Sequence, residues 1–185
     1  MVLPEPVRLR DWRPVCPAGD LRSISLHWTA HDYEAVFPAY HFCLRGVSDV
    51  VVAQTHDLRA NMRDLRSSPA GRYAAHTLGR NSWSIGIAVC GMGAARPSDF
   101  GRYPLSPVQI DALCTVARTL ADAYGIPLAA IRTHAEAALE DGYFGADDDE
   151  LRWDIARLEA RPEPLADREA ALTGDLLRAR IAAVR

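Results

Sequence analysis

The sequence contains no lysine: all 21 of its basic residues are arginine. Chemistry that needs a lysine amine, as a Schiff-base nucleophile or a proton donor, is therefore excluded. No apolar run approaches the ~20 residues of a membrane-spanning helix. The opening Met1-Val2-Leu3-Pro4-Glu5-Pro6 lacks the basic start and apolar stretch of a signal peptide, so export by the usual route is not expected. Positive charge is not in excess either. The 21 basic residues face 24 acidic ones, and a net charge of −3 gives nucleic acid no field to follow. Cysteine is sparse, with four residues at 16, 43, 90 and 114 and no CxxC pair. That spacing excludes a cysteine zinc finger and a disulfide framework, and leaves the thiols as small buried hydrophobes.

What remains is 185 residues, 49% hydrophobic and 24% charged, enough for one domain with a proper core. Residues 1–22, punctuated by Pro4, Pro6, Pro14, Pro17 and Gly19, read as an extended lead-in. Ser23–Trp28 alternates like a strand. Tyr40–Arg45 and Asp49–Gln54 read as a hairpin around Gly46, and Ser84–Cys90 as a central strand. The polar, Arg-rich stretch 55–82 has no period and reads as a surface loop. Ser106–Tyr124 is the clearest helix: Ser106 caps it, Pro107 opens it, Gln109 completes a capping box and Gly125 stops it. Ala130–His134 reads as a last strand. Leu172, Leu176, Leu177, Ile181 and Val184 recur at helical spacing behind Pro162 and Pro164, which set residues 161–185 apart as a C-terminal helix. The order predicts an α/β fold, a central mixed sheet of five or six strands flanked by helices, with the main domain at 23–160.

The chemistry sits at strand ends. His27 closes the first strand and His134 the last, and Leu151-Arg152-Trp153-Asp154 supplies a carboxylate downstream. Two histidines and a carboxylate with one position open form a common catalytic zinc set. On spacing alone His31, His41, His56 and His76 compete equally. The run Asp147–Glu150 lacks EF-hand spacing and reads as a solvated loop. His41, next to Tyr40 on one strand, should face away from it.

Five ordered blocks resemble the zinc-dependent N-acetylmuramoyl-L-alanine amidases, relatives of peptidoglycan recognition proteins and phage lysozyme-type amidases. They are Leu26-His27-Trp28-Thr29-Ala30; Tyr40-His41-Phe42; Ala75-His76 with Asn81 and Ser84-Ile85-Gly86-Ile87; Leu105-Ser106-Pro107-Val108-Gln109 with Tyr124-Gly125-Ile126-Pro127; and Thr133-His134-Ala135-Glu136 with Arg152-Trp153-Asp154. The resemblance implies a zinc ion (Zn2+) held by His27, His134 and Asp154, with Asp147, Asp148 or Asp149 as alternatives to the last. It implies peptidoglycan or a muropeptide as substrate, cut between N-acetylmuramic acid and L-alanine. It also implies His76 and Asn81 along the substrate groove, and action in the cytoplasm or on a cell wall reached by lysis. Many members carry a catalytic Glu where this chain has Ala88, and a lysine where it has Arg152. Tyr40 and Arg152 are then the expected catalytic pair, with Glu136 as the alternative acid–base group. The competing implication is a recognition module that binds peptidoglycan without cutting it.

Overall fold

The computed structural model describes residues 3–69 and 71–185; Met1 and Val2 of the lead-in and Ala70 of the Arg-rich loop lie outside the described residues. Six strands form one sheet: β1 (Val7–Arg8), β2 (Ser23–Trp28), β3 (Phe42–Arg45), β4 (Val51–Gln54), β5 (Ser84–Val89) and β6 (Ile131–Thr133), in the order β1-β4-β3-β5-β2-β6. Strands β3, β5, β2 and β6 run parallel, while β4 is antiparallel to both β3 and β1. This is the mixed sheet the sequence predicts. The lead-in is not merely extended, because Val7 and Arg8 pair with Val52 and Val51 to add an edge strand.

The two faces of the sheet differ in side-chain size, and that difference places the site. One face carries Ile24, Leu26 and Trp28 of β2, Ile85, Ile87 and Val89 of β5, and Phe42 and Leu44 of β3, all buried in the main core. Helix α1 (Pro107–Tyr124) lies over it and buries Ile110, Leu113, Val116, Ala117, Leu120 and Ala121. Its capping box forms as predicted: Ser106 Oγ accepts from Gln109 N, and Gln109 Oε1 accepts from Ser106 N. The Gln109 amide also donates to the Cys90 carbonyl at 2.8 Å, fixing the helix to the end of β5. The opposite face carries small or polar residues: Ser25 and His27, Gly86 and Ala88, and Cys43. That face leaves room for a groove.

Two further helices stand beside the sheet. Helix α2 (His134–Asp141) starts directly at the end of β6, capped by Thr133, so the expected strand Ala130–His134 is shorter by a residue at each end. Helix α3 (Asp167–Ala183) packs against α1, α2 and β6. It is integrated in the body, and its contact face keeps only part of the apolar stripe read from the sequence. Ala170, Gly174, Leu177 and Ile181 are buried, whereas Leu172 and Leu176 are 63% and 46% exposed. Small residues win that face because α3 approaches α2 closely: a Cβ at Gly174 would overlap the Glu136 carboxylate. Among the described residues no helix is long and apolar enough to cross a membrane.

Two arginine–glutamate pairs hold α3 down. Arg178 donates to both oxygens of Glu136, at 2.8 and 3.0 Å, and to the Ile131 carbonyl at 2.9 Å. Arg157, only 2% exposed, donates to Glu169 and to the carbonyls of Pro97, Arg161, Glu163 and Pro164. Removing one member of a buried pair strands the other charge. Arg178→Met should therefore lower unfolding stability by about 3 kcal/mol, and adding Glu136→Gln should recover part of that loss. Urea titration of the two variants checks this.

Candidate metal centre

His27 is the fifth residue of β2 and points to the small-residue face, where it is fully buried. His134 opens α2 and is 7% exposed. Asp154 comes from the segment after the acidic loop and is docked on the same helix end, its carbonyl accepting from Ala135 N at 3.1 Å. These three elements bring three ligand atoms together. His134 Nδ1 lies 3.2 Å and His27 Nδ1 3.6 Å from Asp154 Oδ2. All three atoms fall within 4.8 Å of one another, and among the described residues no other group of three gathers this way. Ligand atoms around a tetrahedral zinc, each about 2.1 Å from the ion, sit roughly 3.4 Å apart. The two measured distances bracket that value. His27 Nδ1 has no hydrogen-bond partner although it is buried, a costly state for a polar atom unless something else takes its lone pair. The donor set therefore fits zinc.

Electrostatics point the same way. Burial pushes the His27 imidazole down to about 4, against the raising effect of Asp154, so it is neutral at pH 7 and free to donate its lone pair. Burial alone would raise Asp154, but the hydrogen bond with His134 and the nearby His27 imidazole outweigh it and hold the carboxyl below the usual carboxylate range. The residue after it, Ile155, is fully buried with φ +62°, a left-handed conformation that β-branched residues rarely adopt. The backbone is strained just where it presents the ligand.

The other sequence-predicted residues divide. Tyr40 joins the site: its ring centroid is 5.1 Å from that of His27 and its hydroxyl donates to the Trp28 carbonyl at 3.3 Å. Burial raises its phenol well above the ordinary tyrosine value, so it stays protonated. Arg152 lines the groove with its guanidinium folded onto the carbonyls of Asp149 and Leu151. Asp148 and Asp149 line the rim and are exposed, and Asp147 is not among the residues gathered with the histidines.

One expectation changes: Glu136 is not at the groove; its carboxylate caps Thr133 N and binds Arg178, a structural commitment set by its place at the third position of α2. His76 and Asn81 line the groove as expected, and Asn81 also holds the loop, its Oδ1 accepting from both His76 N and Thr77 N at 2.9 Å. His76 lies flat over Gly86, where a Cβ would come within 2.5 Å of its ring, and is 5% exposed. The loop carrying them is anchored, too, by the buried Asn61, whose side chain binds both N and O of Ala74. His41 also departs from expectation. Tyr40 belongs to the turn before β3, so strand alternation does not separate the two, and the His41 ring reaches within 5.9 Å of His76. Sequence reasoning missed two residues at the site. Tyr143 carries a buried, unpartnered hydroxyl and stacks 5.9 Å from His134. Thr77 touches His27 itself. Neither has a signal beyond its neighbourhood in the chain.

His134 and Asp154 line a groove of about 1310 Å³, and His27 is buried behind them. One wall is the loop 73–81, the other the segment 142–154, and Trp28 and Tyr40 close one end. A family model described as N-acetylmuramoyl-L-alanine amidase matches residues 17–150. The match contains His27 and His134, and Asp154 falls just beyond it. No curated protein matches the chain. Among solved structures, a mutant of PlyL is similar at 14% identity and a TM-score of 0.50, over 90% of this chain and 87% of that one. The E. coli N-acetylmuramyl-L-alanine amidase AmiD, in complex with anhydro-N-acetylmuramic acid-L-Ala-D-gamma-Glu-L-Lys, follows at 18% identity and 0.45, over 88% and 61%. AmpDH3 from Pseudomonas aeruginosa is at 18% and 0.46, over 80% and 63%. The chain thus spans about three-fifths of the latter two.

The buried imidazoles beside the site make stability depend on pH. His41 accepts from Gly86 N at 3.0 Å, and burial, aided by His56, pushes it down to about 3. Its folded value lies below the unfolded one of about 6.5, so the unfolded chain binds the proton first. Its contribution is complete above about pH 6.5 and is lost as pH falls toward about 3. His41→Gln keeps an acceptor but cannot ionise. Its urea midpoint should fall less steeply than wild type between pH 6.5 and 4; parallel curves would rule the effect out.

Proposed function

The chain belongs to the N-acetylmuramoyl-L-alanine amidase family, and on that premise we propose that it hydrolyses the amide between N-acetylmuramic acid and L-alanine in peptidoglycan or muropeptides, with one zinc ion held by His27, His134 and Asp154. The observation that carries this reading is the convergence of His27 Nδ1 and His134 Nδ1 on Asp154 Oδ2 beside the groove, with the first of them lacking any other partner. Zinc, when bound, supplies Lewis acidity, making water a nucleophile near neutral pH and polarising the scissile carbonyl.

The chain's own residues supply the rest. Neutral His27 and ionised Asp154 leave the bound cation a net positive charge, which keeps it acidic. Tyr40 stays protonated beside His27 and can donate a hydrogen bond, or relay a proton to the leaving amine. Arg152 keeps its charge at any working pH and cannot give up a proton, so its role is to stabilise negative charge on the substrate carbonyl oxygen. With Glu136 held by Arg178 and no lysine in the chain, Tyr40 is left as the proton-handling side chain of the catalytic set. The groove has room for a sugar and several peptide residues, and Tyr40 and Tyr143 are among the aromatic residues that line it.

A non-catalytic binder is the competing reading, favoured by Ala88: many family members have a catalytic carboxylate there, and this chain has a methyl group. The complete ligand set argues against it. Digestion of purified sacculi and of soluble muropeptides, read by product mass, decides between the two, since release of intact stem peptides is expected only from the enzyme. His27→Ala should abolish both zinc retention and activity. Tyr40→Phe should retain zinc and lower kcat by about 10²–10⁴. Arg152→Ala should retain zinc and cost about 10²–10³. Stoichiometric zinc with no product from either substrate would leave the binder.

A further inference from the structure

We infer that Thr77 is a positioning residue of the metal centre: its hydroxyl holds the proton of His27 on Nε2 and so keeps the Nδ1 lone pair aimed at the metal. The inference rests on the zinc reading above but is carried by a separate contact. Thr77 Oγ1 lies 3.3 Å from His27 Nε2 and 2.9 Å from His76 Nδ1, and Thr77 is 2% exposed. A hydroxyl has one proton to give and can accept from another donor. Between two imidazoles it therefore imposes a direction. Either His27 Nε2–H donates to Thr77 and Thr77 donates to His76 Nδ1, or every bond reverses.

The geometry favours the first direction. In the reverse case His27 would carry its proton on Nδ1, where the nearest acceptor is Asp154 Oδ2 at 3.6 Å, beyond hydrogen-bond length. That oxygen is already engaged by His134 at 3.2 Å. In the forward case the Nε2 proton has a hydroxyl to meet, and Nδ1 is left as the bare buried lone pair the structure shows. Metal-bound histidines generally fix their tautomer through such an outer partner, more often a carboxylate or carbonyl than a hydroxyl.

The loop is built to hold that hydroxyl still. Asn81 Oδ1 clamps the backbone of His76 and Thr77, and Arg80 N donates to the Thr77 carbonyl at 3.2 Å. The Arg80 side chain then crosses to α2, bonding Asp141 at 2.6 and 2.7 Å and Glu140 at 2.7 Å. The helix that begins at His134 is thus tied by its far end to the loop that orients His27. Gly86 completes the arrangement by letting His76 lie close under the loop.

Thr77→Val keeps the branched shape and deletes the hydroxyl, and Thr77→Ser restores it. Zinc affinity by chelator competition should fall about 10–100-fold in Thr77→Val, the usual effect of losing an outer partner, and return to within about threefold of wild type in Thr77→Ser. A Thr77→Val protein that folds and binds zinc as wild type does overturns the inference. Imidazole nitrogen shifts of the metal-free wild-type protein give a second readout that depends on neither zinc nor the variant's folding. A His27 proton on Nε2 supports the assignment, and one on Nδ1 overturns it. If wild type fails to hold zinc while its His27 proton sits on Nε2 and leaves that position in Thr77→Val, the zinc reading falls and the positioning role of Thr77 stands.

Discussion

An ionised carboxylate at the floor of a groove is costly, and much of this structure follows from keeping Asp154 there. Neither of its nearest partners is a permanent cation. They are two imidazoles, and burial keeps that of His27 neutral. Fixed arginines sit elsewhere: Arg157 and Arg178 are committed to Glu169 and Glu136 on the far side of α2 and α3. A site that collects one anion and two lone pairs, while its structural cations are occupied with other acids, is poised for an exchangeable cation.

Holding such a set in register demands stiffness around it, and the stiffness is long-range. Asp154 follows the acidic loop and hangs on α2 by one backbone bond to Ala135. Two residues later, Ala156 gives its carbonyl to Thr173 of α3 at 2.7 Å, and Arg157 collects four carbonyls and Glu169. The start of α2, with His134, is braced by Arg178 of α3 through Glu136. Helix α3 therefore stands behind two of the three ligands although it lies beyond the residues the family model matches. An all-arginine chain suits this work. One planar guanidinium can satisfy several acceptors at once, where an ammonium would present a point charge.

The parts of this architecture that local rules govern were legible in the sequence. Helix α1 announced itself by Ser106, Pro107, Gln109 and its apolar stripe, and β5 by an unbroken apolar run, because caps and periodicity are written within a few residues. His27 and His134 could be picked out as strand-end groups, and Leu151-Arg152-Trp153-Asp154 as the place to seek the carboxylate, while the family resemblance set Asp154 above Asp147, Asp148 and Asp149. Glu136 was misread because a capping-box glutamate and a catalytic glutamate look alike until α3 supplies Arg178, 42 residues away. The leucines of α3 misled for a related reason. Close approach to α2 made Gly174 and Ala170 the contact face, and no rule confined to one helix reveals how near its neighbour lies. Thr77 carried no signal at all, since its meaning comes from a partner 50 residues earlier.

Residue size on the groove face of the sheet also explains the chain's main departure from its relatives. Ala88 lies in register between His27 and Cys43, fully buried, with Ala53 and Cys90 in the same cluster and Tyr40 packed against it. A glutamate at 88 would place a carboxylate among two thiols, a methyl group and the Tyr40 ring, with no arginine in that cluster to pair with it. Tyr40 and Ala88 thus belong to one packed cluster. Small residues on β3, β4 and β5 admit the phenol, the phenol closes the space a carboxylate would need, and its burial keeps it protonated beside His27. Ala88→Glu would bury an unpaired carboxylate against the Tyr40 ring, a costly substitution at a fully buried position.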